Sequence, residues 1–170
     1  MRTIIIVSFL ILSFQNAFSA DLEKLTNSYN LIGKGRLTQF IWDIYDVYLF
    51  SSDKSFSRAN SLVLSFEYRR DIPKEKIIKS TLEEMEKQNV VDTTTLLQWR
   101  EFLQRCIQKS QKGSKPYIHW LPSGNITFFY GNVESCSINN RLFSTSFIDI
   151  WLGENTSRPK LRTALLGVDK

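Results

Sequence analysis

The order of its segments predicts an α+β fold: one antiparallel sheet with helices packed on a single face. Three observations carry this. Stretches with apolar residues at every second position open the chain's folded part and return near its end. Between them, apolar residues recur at three- and four-residue spacing, as a buried helix face requires. Clusters of turn-forming residues separate the two patterns.

The elements follow in order. Residues 30–50 read as one or two long strands, with a break expected at Gly33-Lys34-Gly35. Residues 51–60 are polar and turn-like, and 61–68 (SLVLSFEY) alternate as another strand. Asp71-Ile72-Pro73 opens a helix, with proline tolerated in the first turn and Asp71 as the N-cap at its positive end. Ile78, Leu82 and Met85 follow at helical spacing. A second helix is expected over 92–108, capped by Asp92 or Thr93, with Leu96, Trp99, Leu103 and Cys106 on one face.

After Lys112-Gly113 the period becomes two. Tyr117, His119 and Leu121 point one way, and Ile118 and Trp120 the other. Pro122-Ser123-Gly124-Asn125 is a turn signal, and 126–130 return as the second strand of a hairpin. Gly131-Asn132 turns again into 133–138. Ser144 is the expected cap of a short helix carrying Phe147, Ile148, Trp151 and Leu152. Ser157 with Pro159 begins a last one, with Leu161 and Leu165 facing inward.

A chain of 170 residues fits one domain and buries a sizeable core. With 42% hydrophobic and 23% charged residues, it has ordinary globular usage. Its first 19 residues read as a secretory signal peptide. Met1-Arg2 is the positive start, residues 4–14 are an apolar run, and Ala17-Phe18-Ser19 supplies small residues for cleavage before Ala20. No cysteine follows the run, so no lipid anchor is expected. Residues 20–170 are then an exported, periplasmic domain without a transmembrane segment.

Cleavage removes one base, Arg2, and no acid, so the net charge drops from +5 to +4. The basic residues are scattered rather than striped with aromatics, which argues against nucleic acid. Attraction to anionic headgroups or fatty carboxylates stays open. One histidine, His119, and two cysteines, Cys106 and Cys136, are too few for a zinc site of these ligands, and no cofactor is expected. Export permits a disulfide; the sequence leaves open whether these cysteines pair.

The stretch FIWDIYDVYLF, residues 40–50, places two carboxylates inside an apolar strand. Strict alternation puts Asp43 with Ile41, Tyr45, Val47 and Leu49, and Asp46 on the other face with Trp42, Ile44 and Tyr48. Opposite faces give no support to a two-acid hydrolase. Asp46 reads as structural. Of Arg69 and Arg70, only one can face a cleft. His119 reads as a structural residue, with no nucleophile and acid to complete a triad.

Four segments in order resemble the chalcone isomerase-like family, in its exported bacterial form: GKGRLTQFIWDIYDVYL at 33–49, YRRDIP at 68–73, FFYGN at 128–132 and WLGENTSRPKLRTALLG at 151–167. The resemblance implies an open-faced β-sandwich, a large antiparallel sheet with helices on one side. Plant members cyclise chalcones, and related plant proteins of the same fold bind fatty acids. Arg36 matches the enzymes' catalytic Arg, and Asp43 stands where they keep a Thr. Trp99 and Cys106 stand where they keep a Tyr and an Asn. An ionised Asp accepts hydrogen bonds and donates none, which speaks against the cyclisation.

The resemblance therefore implies a non-catalytic protein binding a fatty acid or another small hydrophobic ligand. Arg36 would hold the acidic end, and Asp43, Tyr45 and Trp99 would complete the site. The alternatives are an isomerase or intramolecular lyase acting on a phenolic or enone substrate, with Arg36 stabilising the oxyanion, and an envelope scaffold.

Overall fold

The computed structural model describes residues 27–88, 90–131 and 133–168, so the proposed signal peptide lies outside the described residues. Six strands form one antiparallel sheet in sequential order: β1 Asn30–Gln39, β2 Trp42–Ser51, β3 Leu62–Tyr68, β4 Tyr117–Trp120, β5 Asn125–Tyr130 and β6 Val133–Asn139. Four helices among the described residues complete it: α1 Lys74–Glu86 and α2 Thr93–Cys106 between β3 and β4, then α3 Arg141–Leu152 and α4 Pro159–Leu166. The sequence of elements is the expected one, and the fold is α+β with an open antiparallel sheet.

Several boundaries differ from the sequence reading for local reasons. The break in the first strand pair comes at Phe40-Ile41, between Gln39 and Trp42, which face each other in the register. Gly33 and Gly35 instead lie inside β1, where α4 crosses closely. A Cβ on Gly33 would stand 2.3 Å from the Ala164 carbonyl oxygen, and one on Gly35 2.4 Å from the Leu161 side chain. These glycines serve backbone approach, one of the two meanings glycine carries in a strand.

Caps also move. Asp92 caps α2 as expected, accepting from the Thr95 N–H at 2.8 Å. Asp71 caps nothing: its carboxylate accepts from the Lys112 N–H at 2.7 Å, and Pro73 holds the cap position of α1. Asn140 rather than Ser144 caps α3, accepting from the Phe143 N–H. Ser157 bonds Glu84 on α1 instead of capping α4.

The core lies between the sheet and the helices. Val47, Leu49, Leu64, Phe66 and Ile118 on the strands meet Met85, Leu103, Phe143 and Phe147 on the helices, all buried. The Cys106 and Cys136 sulfurs are bonded, with Cα atoms 5.2 Å apart, tying the end of α2 to β6. No helix among the described residues is long and apolar enough to cross a membrane.

Candidate functional site

α1 packs against α2 and α3. A cavity of about 530 Å³ lies between it and the β1–β3 end of the sheet. Leu37, Tyr45, Phe66 and Tyr68 line it from the strands, Ile77 from α1 and Trp151 from α3. Charged side chains of both signs also line it: Arg70, Lys76, Lys87 and Arg158, with Asp71, Glu83 and Glu84.

Three tyrosine hydroxyls are among its polar groups. Tyr45 accepts from the Trp151 indole N–H at 2.9 Å, which leaves its own proton to donate. Burial pushes its hydroxyl well above the usual tyrosine range, while the charge of Arg158 pulls the other way. Burial also raises Tyr68, which lies beside the Ser110 hydroxyl. Burial pushes Tyr130 up to about 12, and its oxygen accepts from the Gln108 N–H at 2.9 Å. All three therefore stay neutral donors at physiological pH. Glu84 at the rim is held below the usual range: burial alone would raise it, but hydrogen bonds from Lys87 and Ser157 outweigh that.

Of the four residues singled out from the sequence, only Tyr45 lines this cavity. Trp99 is core, edge-on to Phe143 at 5.5 Å. Arg36 and Asp43 lie on the other face of the sheet. Gly33, Gly35 and Leu37 turn towards the helices, so alternation sends Lys34 and Arg36 to the open side.

The opposite-face reading of the two aspartates is corrected by a β-bulge. Leu37 pairs with Tyr45 and Thr38 with Asp43, so Ile44 is the extra residue. One inserted residue resets the alternation, and Asp43 and Asp46 come to the same side. Arg36 binds both: Nε donates to Asp46 Oδ1 at 2.5 Å and Nη1 to Asp43 Oδ2 at 2.9 Å. Thr38 donates to the second Asp43 oxygen at 2.8 Å. Arg69 donates from Nε to Asp46 Oδ2 at 2.8 Å, and its Nη2 bonds the same oxygen. The Arg36 hydrogen bond, joined by that of Arg69, holds the Asp46 carboxyl below its ordinary value although burial opposes it. Asp43 therefore occupies no place in the cavity, and its comparison with a cleft hydroxyl bears on nothing there.

The arginine pair divides as alternation requires. Arg69 joins the open face, and Arg70 lines the cavity with its guanidinium 4.6 Å from the Trp42 ring centre. His119 is also accounted for structurally: its Nε2 lies 2.9 Å from the Tyr29 hydroxyl, and burial lowers its basicity. Sequence reasoning missed Tyr68, Tyr130, Trp151 and Arg158 as cavity residues. Tyr68 was accessible, since it continues the Leu62, Leu64, Phe66 alternation. The others depend on how α3, α4 and β5 converge.

A family model described as chalcone isomerase-like matches residues 14–167. No curated protein matches. Among solved structures, a fatty-acid binding protein of Arabidopsis thaliana is similar, with a TM-score of 0.64 and 10% identity. The likeness covers 84% of this chain and 88% of that one, and at such identity it speaks to the fold alone. A family match over most of the chain, on a six-stranded antiparallel sheet with its helices on one face, places the protein: it belongs to the chalcone isomerase-like family.

Proposed function

We propose that this is a non-catalytic binding protein for a fatty acid or another small apolar molecule with an acidic end. The observation that carries the reading is the cavity of about 530 Å³. Aliphatic and aromatic side chains such as Leu37, Phe66, Ile77 and Trp151 share its lining with polar and charged ones, a mixture that suits an apolar molecule with an acidic end. Tyr45 offers a hydroxyl proton to the ligand's carboxylate, and Arg158, whose charge reaches that hydroxyl, supplies the counter-charge. This moves the acid-holding role from Arg36, which is engaged by Asp43 and Asp46 on the open face. The fatty-acid binding protein of similar fold supports the reading.

The isomerase alternative needs Arg36 at the oxyanion, with Tyr45 or Asp43 handling protons. Tyr45 lines the cavity, but Arg36 and Asp43 lie across the sheet from it, which favours binding over catalysis. A periplasmic setting belongs to the same proposal, and the Cys106–Cys136 bond supports it, since such bonds persist in oxidising compartments.

Native mass spectrometry and a titration with a fluorescent fatty acid test the reading. The expected result is a saturable one-to-one complex, displaced by unlabelled fatty acid. A protein that carries no ligand and shows no saturable uptake overturns it.

A further inference from the structure

The hairpin joining β1 and β2 is built against ordinary turn chemistry. Its two central residues are Phe40 and Ile41, where two-residue hairpins favour Gly, Asn or Asp. Phe40 has φ 55°, and it is the only non-glycine residue with positive φ among those described. A positive φ at the first central position is the pattern of a type II′ turn, a place for glycine. Phe40 is 93% exposed and Ile41 84%, and Trp42 beside them is 54% exposed with the Arg70 guanidinium over one face of its ring. Three consecutive large apolar residues thus project from a strained tip, the first two almost wholly uncovered.

The tip adjoins the cavity. Gln39, Trp42 and Ile44, its immediate flanks, line that cavity together with Arg70 and Lys76. Among the charged side chains that line the cavity beside the tip, Arg70, Lys76, Lys87 and Arg158 outnumber Asp71, Glu83 and Glu84 by one, Asp43 is paired with Arg36, and Arg70 lies over Trp42. An apolar wedge flanked by an aromatic–guanidinium pair matches the layering of a membrane interface: acyl chains below, anionic phosphates above.

We propose that the β1–β2 hairpin tip inserts Phe40, Ile41 and Trp42 into the surface of a phospholipid bilayer bearing anionic headgroups, so that the cavity mouth faces the membrane. The inference rests on the apolar-ligand reading of the cavity and names the source and destination of that ligand. A molecule of low aqueous solubility would then pass between bilayer and cavity past Trp42, without crossing bulk water. Arg70 takes a lipid phosphate through the N–H edge of its guanidinium while the plane stays over the indole.

Trp42 is its own reporter. The other three tryptophans, Trp99, Trp120 and Trp151, are buried, so an emission change on docking comes from Trp42. The purified protein is mixed with vesicles of phosphatidylcholine, with and without phosphatidylglycerol, and with brominated lipids. The expected result is a blue shift and quenching with anionic vesicles, reduced by salt. Phe40→Asn/Ile41→Ser, a pair of residues suited to the turn, should weaken partitioning more than tenfold while keeping the thermal transition. Arg70→Gln should lessen the preference for phosphatidylglycerol. No shift with anionic vesicles, or equal partitioning of the double variant, overturns the proposal. So does a wild-type dimer that the double variant abolishes in the absence of vesicle binding, because the tip then serves a second copy. Fatty-acid binding in vesicle-free buffer separates the two readings. If it is saturable and vesicle docking fails, only the membrane proposal falls; if vesicles bind and fatty acid does not, the cavity reading falls.

Discussion

Arg36 on β1 and Asp46 on β2 stand opposite each other in the strand register, and the guanidinium Nε donates to the carboxylate at 2.5 Å. Asp46 is 7% exposed and gives its second oxygen to Arg69. The two arginines reach solvent, which screens the pairing and keeps its worth below that of a fully buried one. Asp46→Asn should cost about 1–2 kcal/mol by urea unfolding. The acid limb carries a second signature. The folded Asp46 sits below its usual 3.8, so its contribution is fully present above that value and is lost as pH falls through the lower folded one. Urea midpoints between neutral pH and about pH 2 should fall less steeply for Asp46→Asn than for the wild type. Parallel slopes would remove Asp46 from the acid response.

Tyr45→Phe keeps the ring that packs edge-on to Phe66 at 5.3 Å and removes the hydroxyl. It also strips the Trp151 indole of its acceptor. A loss of roughly 1–1.5 kcal/mol in fatty-acid affinity is expected, about a tenfold rise in Kd, read by fluorescence titration. Arg158→Gln should weaken the fatty acid but not its methyl ester. Arg36→Gln should leave the affinity unchanged, since Arg36 is on the far side of the sheet. An effect of Arg36→Gln as large as that of Arg158→Gln would return the anchor to β1.

Gly33→Ala tests the approach of α4 to β1. The added Cβ meets backbone oxygens of Ala164 and Leu165, which cannot rotate away as a side chain would. Overpacking of this kind should cost about 1–3 kcal/mol, visible as a lowered thermal midpoint. An unchanged midpoint would mean that α4 slides freely on the strand.

Phe40→Asn should raise stability by about 1 kcal/mol, because asparagine adopts positive φ at lower cost and no packing is lost at a 93% exposed site. A thermal or urea midpoint reads it. Destabilisation by this variant would reveal a packing role for the Phe40 ring.

Cys106→Ser/Cys136→Ser, or reduction of the wild type, opens a link between residues 30 positions apart. Loop-closure entropy for that span puts the loss at about 3–4 kcal/mol. The urea midpoint with and without reductant measures it; no difference would mean that the bond is strain-compensated or unformed.

The fold was legible because its two periodicities are clean. Leu62, Leu64 and Phe66 alternate inward on β3, and Leu96, Trp99 and Leu103 mark one face of α2. The site was less so, and a single residue explains much of that. Strict alternation across Ile44 sends Asp43 to the cavity side, whereas the bulge sends it to Asp46 and Arg36. A bulge at a non-glycine residue leaves no compositional mark, because it is specified by what the neighbouring strand can pair with. The caps failed for a similar reason: Asp71 and Ser157 found tertiary partners, Lys112 and Glu84, that outcompete the nearest helix end. Arg158 and Trp151 enter the cavity through the packing of α3 and α4, a long-range outcome no local pattern encodes.

The Cys106–Cys136 bond makes a covalent ring of residues 106–136, which encloses all of β4 and β5. β1, β2, β3, α1 and α4 lie outside it. Mechanically the chain is therefore divided: a segment of 31 residues, under a fifth of the chain, is closed into a ring that keeps its ends together when neighbouring elements loosen, and the rest is held by noncovalent packing alone. The cavity wall made by β1, β2 and α1 belongs to this second part, together with the Phe40-Ile41 tip. Any breathing that admits a bulky guest is thus assigned to the side of the sheet that carries the doorway, while the frame behind it stays fixed.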